Sequence, residues 1–328
     1  MPITLPRRLP TLLSRGGTRA LVPLGLSALL ASCGTPRQPA VGVEPGAGRP
    51  RLAVVTTVLP ITLLTRAVAG DCATVEALIP AAMGPHDFQA RPTDLLALRR
   101  ARVLVKNGLG LESFLDRLVA SAANPSLRQI DSSRGVATLT APGPDHDHAH
   151  SHGPVNPHIW LDPLRAAQQV NTIRDGLIQA DPACADGYRR NAAATTARLQ
   201  RLHTTIAARL GPYRGRTFVA FHDVAPYFAE RYGLRGTFLV DLPESHPSPR
   251  DLQRVAAEVK RSQLQALLSE PQQGSRSFNA LAQDLGVRVS LFDPLETGSE
   301  AAARDPDTYF RVMEGNANEL AGAFRQQP

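Results

Sequence analysis

No apolar run in the chain reaches the roughly 20 residues that a bilayer-spanning helix requires. The nearest approach, ALVPLGLSALLA, lies within the first 33 residues, so the rest of the chain is not expected to cross a membrane. Aromatic side chains are scarce at 5%, yet 43% of the 328 residues are hydrophobic, enough for two domains that each bury a core. Cysteine is scarcer still. Apart from Cys33, only Cys72 and Cys184 remain, and a single pair so far apart in sequence leaves open whether they join. No internal repeat is clear enough to organise the chain.

What the first fifty residues contain is more specific. Arg7, Arg8, Arg15 and Arg19 precede the short apolar run, which ends in Leu30-Ala31-Ser32-Cys33. A basic region, a hydrophobic region and a small-residue cleavage site in that order read as an export signal over residues 1–32. The last four residues resemble the lipobox of bacterial lipoproteins, which implies acylation at Cys33 and anchoring rather than insertion. Residues 33–50, rich in Pro and Gly, read as a flexible tether. The formal charge of +7 counts the four signal arginines, so the mature excess is modest and offers no case for a nucleic-acid partner.

From Arg51 onward, short β-rich apolar runs (RLAVVTTV, ATVEALIP, RVLVKNG) alternate with longer amphipathic stretches (ITLLTRAVAG, TDLLALRRA, LESFLDRLVASAA). The alternation predicts βα units and a mainly parallel sheet. Residues 163–210 are helical in period almost throughout, with a break near Asp181-Pro182. The βα pattern resumes after Gly215 with RTFVAFH, LRGTFLVD, LQALLSEP and VRVSLFDP. The expected architecture is α/β. An N-terminal lobe (51–162) and a C-terminal lobe (211–328) flank a long helical connector (163–210), with a binding cleft between the lobes. Ser248-Pro249 should start the helix that follows it, serine as cap and proline in the first turn.

Three of four candidate ligands fall just beyond predicted strands. His86 follows TVEALIPAAMGP, His158 follows GPVNP, His222 closes RTFVAFH and Asp293 closes VRVSLFD. Ligands of open parallel sheets bind beyond the carboxyl ends of strands, so two donors from each lobe can converge on the cleft. Three imidazoles and a carboxylate suit tetrahedral zinc, with donor distances of about 2.0–2.2 Å; manganese prefers more oxygen. Taken singly, each has a plainer reading: a loop or cap histidine, and for an Asp before Pro, a turn former. Glu270, ending LQALLSE, sits where a strand should enter the cleft and is a candidate either to hold a ligand in place or simply to line the cleft. His203, within the connector, and His246, in a Pro-rich loop, read as surface residues.

The segments GPHDFQARPTDLLALRRARVLVKNGLGLESFLDRL, NPHIWLDP, FVAFHDVAPYFAERYGL, ESHPSPRDLQRV and VSLFDPL together resemble the zinc and manganese solute-binding lipoproteins of ABC importers, the ZnuA- and TroA-like family. The resemblance runs from about residue 51 to the C-terminus. It implies two α/β lobes joined by a rigid long helix, metal ligation by His86, His158 and His222, and a carboxylate at the position of Asp293. Manganese carriers tend to have glutamate at the third position, so His222 favours Zn2+ over Mn2+. The resemblance also implies a monomeric receptor at the periplasm or cell surface that delivers zinc to a membrane-embedded ABC permease.

Residues 145–163, DHDHAHSHGPVNPHIWLDP, contain five histidines of two kinds. His158 is followed by Trp160 and Leu161, which can pack, and follows Pro157, which restricts the backbone. His146, His148, His150 and His152 sit among Asp, Ala and Ser without apolar anchors and read as a mobile auxiliary capture loop over 145–152, or as a plain linker. Catalysis is not expected. A zinc hydrolase needs an open coordination position and a general base, the chain has no HExxH motif, and four protein ligands close the shell. A second role as a surface adhesin is compatible with the sequence.

Overall fold

The computed structural model describes residues 50–140, 155–243, 246–271 and 275–325. Cys33, the signal and nearly all of the tether, and His146, His148, His150 and His152 lie outside the described residues.

The first half runs β1 (Leu52–Thr56), α1 (Leu59–Ala69), β2 (Ala73–Ala77), α2 (Pro92–Arg100), β3 (Val103–Lys106), α3 (Leu115–Ala122) and β4 (Arg128–Asp131). Its four strands are all parallel, in the order β2-β1-β3-β4. The second half repeats the plan with β5 (Thr217–His222), α6 (Pro226–Tyr232), β6 (Arg235–Val240), α7 (Pro249–Ser262), β7 (Ala266–Ser269), α8 (Ser275–Leu285) and β8 (Arg288–Leu291). Its order is β6-β5-β7-β8, again parallel throughout. Between them stand α4 (Pro163–Ala180) and the long helix α5 (Ala185–Leu210), and α9 (Glu300–Arg304) and α10 (Asp307–Arg325) close the chain. The architecture is the two-lobed α/β arrangement expected from the alternating pattern.

Central parallel strands are covered on both faces and therefore read as unbroken apolar runs. β5 is the clearest case: all six of its residues are buried. Phe218 and Ala220 face the large core shared with α5 and α10, while Val219 and Phe221 face a second core that includes Val255, Val259 and Phe278. The side-chain period of two feeds two cores from one strand, and it delivers His222 to the strand's carboxyl end.

Helix starts follow capping chemistry. The Asp162 carboxylate accepts from the Leu164 N–H at 2.9 Å to open α4. The Ser248 hydroxyl accepts from the Asp251 N–H at 3.2 Å, while the Asp251 carboxylate accepts from the Ser248 N–H at 2.9 Å, a reciprocal capping box for α7. The helical run breaks at Asp181, where a proline follows and a short 3-10 turn over Pro182–Cys184 redirects the chain into α5. A disulfide between Cys72 and Cys184 ties that turn to the start of β2, which answers the pairing question the sequence left open.

Candidate metal centre

Both strand orders, β2-β1-β3-β4 and β6-β5-β7-β8, reverse direction between the two central strands, and a crevice opens at that point beyond the strand carboxyl ends. In the second lobe the crevice lies between β5 and β7, and His222 and Glu270 stand at their ends. The Glu270 carboxylate accepts from the His222 backbone N–H at 3.0 Å and from Nδ1 of its ring at 2.6 Å. Both side chains are fully enclosed, and the pairing turns Nε2 of His222 toward the cleft.

The other ligand candidates arrive on loops. His158 precedes a 3-10 turn over Ile159–Leu161, three residues with no solvent exposure. Trp160 is anchored by its indole N–H, which donates to the Pro294 carbonyl at 2.8 Å, and its own carbonyl accepts from the Tyr309 hydroxyl at 2.6 Å. His86 lies in the connection from β2 to α2, pinned by buried Phe88, whose ring packs against Phe114 at 4.7 Å. The same connection is tied across the cleft by the Gly298 N–H, which donates to the Ala81 carbonyl at 2.7 Å.

These elements bring His86, His158, His222 and Glu296 together, one donor atom from each, all within 4.8 Å of one another. Nε2 of His86 and Nε2 of His158 lie 3.2 and 3.1 Å from Oε1 of Glu296, and Nε2 of His222 lies 3.8 Å from its Oε2. His86 is the most exposed of the four side chains at 9%, the others being at 0–1%, so it forms the mouth of the site.

The fourth member differs from the residue expected. Asp293 is spent on the turn: its carboxylate accepts from the Leu295 N–H at 2.8 Å, and the Asn316 side chain grips both its backbone N–H and its carbonyl, at 2.8 and 2.7 Å. The chain then passes through Leu295 in the left-handed region, φ 63°, and Glu296 rather than Asp293 points at the three imidazoles. The plain reading of an Asp before Pro as a turn former is the one that holds. The signal for Glu296 was a second carboxylate three residues on in FDPLE. Of the remaining histidines among the described residues, His203 stacks on Tyr232 at 5.8 Å and His246 is exposed; neither joins the group.

Burial and charge divide the imidazoles. Burial pushes His158 down to about 4, against the pull of Glu296. Burial would lower His222 as well, but Glu270 and Glu296 outweigh it and raise it to about 9. Burial alone would raise Glu296, yet His86 and His222 hold its carboxyl well below the usual range. An anionic carboxylate faced by three imidazole nitrogens is a donor set for a borderline-soft divalent cation.

The chain matches the family described as zinc-uptake complex component A, periplasmic, over residues 54–323. It is similar to the zinc-binding lipoprotein AdcA of Streptococcus pneumoniae, 30% identical over 284 residues that cover 84% of this chain and 56% of that protein. The high-affinity zinc uptake system protein ZnuA of Yersinia pestis is 28% identical over 294 residues, covering 83% of this chain and 91% of that protein. The crystal structure of Zn(II)-bound AdcA from Streptococcus pneumoniae matches with a TM-score of 0.72 at 29% identity, over 85% of this chain and 59% of that one. The chain thus spans little more than half the length of AdcA.

Proposed function

Because the chain belongs to the zinc-uptake complex component A family, we propose that it is an extracytoplasmic zinc receptor, which holds one Zn2+ on His86, His158, His222 and Glu296 and passes it to a membrane-embedded ABC permease. The observation that carries this reading is the convergence of three imidazole nitrogens and one carboxylate on a single point within 4.8 Å. Three nitrogens and one oxygen are a complete tetrahedral shell for zinc, and a shell completed by protein leaves no position for a reacting water, which favours carriage over catalysis. Manganese finds too few oxygens here. Glu270 fixes the ring of His222 from behind, as carboxylates commonly do for zinc-bound imidazoles.

Acylation at Cys33 would hold the receptor at the membrane face as a monomer. No helix among the described residues is long and apolar enough to cross a membrane, which suits a lipid anchor as the means of attachment, with the His146–His152 run supplying weaker auxiliary capture. The test is metal content and zinc titration of protein purified without a histidine tag. One tight site, weakened severely by His86→Ala, His158→Ala, His222→Ala or Glu296→Ala, is the expected result. A protein that binds no zinc, or binds it unchanged in any one of those variants, refutes the ligand set.

A further inference from the structure

We infer that Asn156 is a positioning residue for this site, setting the tautomer of His158 and coupling the first lobe's buried ligand to the second lobe's; the inference rests on the zinc-receptor reading above. Asn156 is 1% exposed. Its amide oxygen faces two groups of one residue, the His158 backbone nitrogen at 3.1 Å and ring Nδ1 at 2.9 Å. Its amide nitrogen faces Asp223, the carbonyl oxygen at 2.8 Å and a carboxylate oxygen at 3.1 Å.

Those partners fix which way round the amide stands. A backbone N–H only donates, so the atom facing His158 must be oxygen; a carbonyl only accepts, so the atom facing Asp223 must be the NH2 group. Both constraints select the same orientation. The oxygen carries no hydrogen, so the hydrogen of the 2.9 Å contact has to sit on Nδ1 of His158. In the neutral ring that leaves the lone pair on Nε2, the atom 3.1 Å from Glu296. A lone pair facing a carboxylate oxygen calls for a cation between them, and Asn156 is what puts it there.

The other end of the residue reaches into the second lobe. Asp223 directly follows His222, so the amide grips the backbone next to the opposing ligand. The Asn156 carbonyl accepts from the Tyr227 hydroxyl of α6 at 2.7 Å, and that hydroxyl accepts in turn from the Leu139 N–H at 3.1 Å. Pro157, between Asn156 and His158, has its carbonyl held by the Asn107 side chain at the end of β3, at 3.0 Å. One side chain therefore joins the imidazole of His158 to the strand end that carries His222. A displacement of the lobes that strains the Asp223 contacts also strains the acceptor on which the His158 tautomer depends.

Two substitutions separate the two tasks. Asn156→Asp keeps an oxygen for Nδ1 but loses the donor to Asp223 and sets two carboxylates against each other; Asn156→Ala loses both contacts. Imidazole nitrogen NMR on the metal-free proteins should show His158 as a single Nδ1–H tautomer in wild type and Asn156→Asp, and as a mixture in Asn156→Ala. Zinc affinity should fall about 10- to 100-fold in Asn156→Ala, the range for groups that orient a ligand, and zinc release into excess chelator should be faster in both variants. A single Nδ1–H tautomer in Asn156→Ala overturns the tautomer role, and an unchanged release rate in Asn156→Asp overturns the coupling role. Wild-type protein that takes up no zinc would sink the receptor reading instead, while the tautomer measurement, made without metal, still judges Asn156.

Discussion

The two lobes share one strand order and place a buried glutamate at the same crevice, yet they use it differently. In the first lobe Glu112 spans the ends of β1 and β3: it accepts from the Thr57 hydroxyl at 2.6 Å and from the N–H groups of Asn107 and Gly108 at 2.7 and 3.1 Å. In the second, Glu270 spans the ends of β5 and β7 and accepts from the N–H and Nδ1 of His222. The first crevice is closed by a carboxylate that satisfies backbone; the second is left to a carboxylate that aims an imidazole. The first lobe's ligands accordingly come from loops outside its crevice, whereas His222 is part of a strand. A shared topology supplies the place, and the identity of one residue at the strand end decides whether it serves the fold or the ligand.

The contrast breaks most completely at the ligands themselves. His158→Ala and His222→Ala should each lower zinc affinity by more than about 100-fold, beyond the range typical of groups that merely orient a ligand, when measured by chelator competition. His86→Ala should do the same and, since His86 forms the mouth, should also speed zinc exchange relative to wild type. Equal affinity in any of these variants would detach that residue from the centre.

Removing the two glutamates should separate stability from binding. Glu112→Ala strips a hydroxyl and two buried N–H groups of their acceptor and should cost ~2–4 kcal/mol of stability, with zinc affinity of the folded fraction nearly intact. Glu270→Ala should lower affinity about 10- to 100-fold. Urea unfolding and zinc titration on both proteins check this, and a reversed pattern would show that the two crevices are not specialised as described.

The proton inventory sharpens the same comparison. His158, held by a neutral amide and driven down to about 4 by burial, is already neutral at pH 7. His222, raised to about 9 chiefly by Glu270 once burial is overcome, keeps its proton there in the metal-free site. Zinc must displace that proton, so between pH 7 and 9 uptake should release about one proton from His222 and affinity should rise with pH, levelling above about 9. Calorimetry in two buffers of different ionisation enthalpy reads the release directly; identical heats would mean that His222 is neutral before zinc arrives.

How much of this was legible beforehand depended on how far each residue's role is local. β5 could be read because a doubly buried parallel strand is continuously apolar, and the histidine that ends TFVAFH inherits the strand's direction. NPHIWLDP could be read because Trp160 and Leu161 announce burial beside His158. The parallel βα alternation carried the lobes, and the Asp181-Pro182 step carried the break between α4 and α5. Asn156 and Glu112 were not legible, because each role is completed only by a partner 67 or 55 residues away, at Asp223 and Thr57 respectively. Glu296 was missed for a different reason: which of two carboxylates in FDPLE faces inward is set by a left-handed residue, Leu295, for which no glycine or asparagine gives warning.

That missed choice yields the prediction with the smallest expected effect. Asp293→Asn keeps the oxygen that accepts from the Leu295 N–H, so the turn that swings Glu296 inward should persist and zinc affinity should change by less than about threefold, well short of what loss of an orienting group costs. Burial, with Glu270 and Glu296 nearby, raises Asp293 to about 6, the Leu295 N–H opposing. A carboxyl whose folded value is raised binds more protons folded than unfolded, so its contribution to stability is present below its ordinary value of 3.8 and is lost as pH rises through about 6. Asparagine cannot ionise and escapes that loss. The metal-free Asp293→Asn protein should therefore melt at or above the wild-type temperature at pH 8 and show no such gain at pH 4. Glu296→Gln, by contrast, keeps the shape but surrenders the anionic donor and should lose most zinc affinity. If the two substitutions exchanged effects, with Asp293→Asn abolishing binding and Glu296→Gln sparing it, the carboxylate ligand would be Asp293 after all.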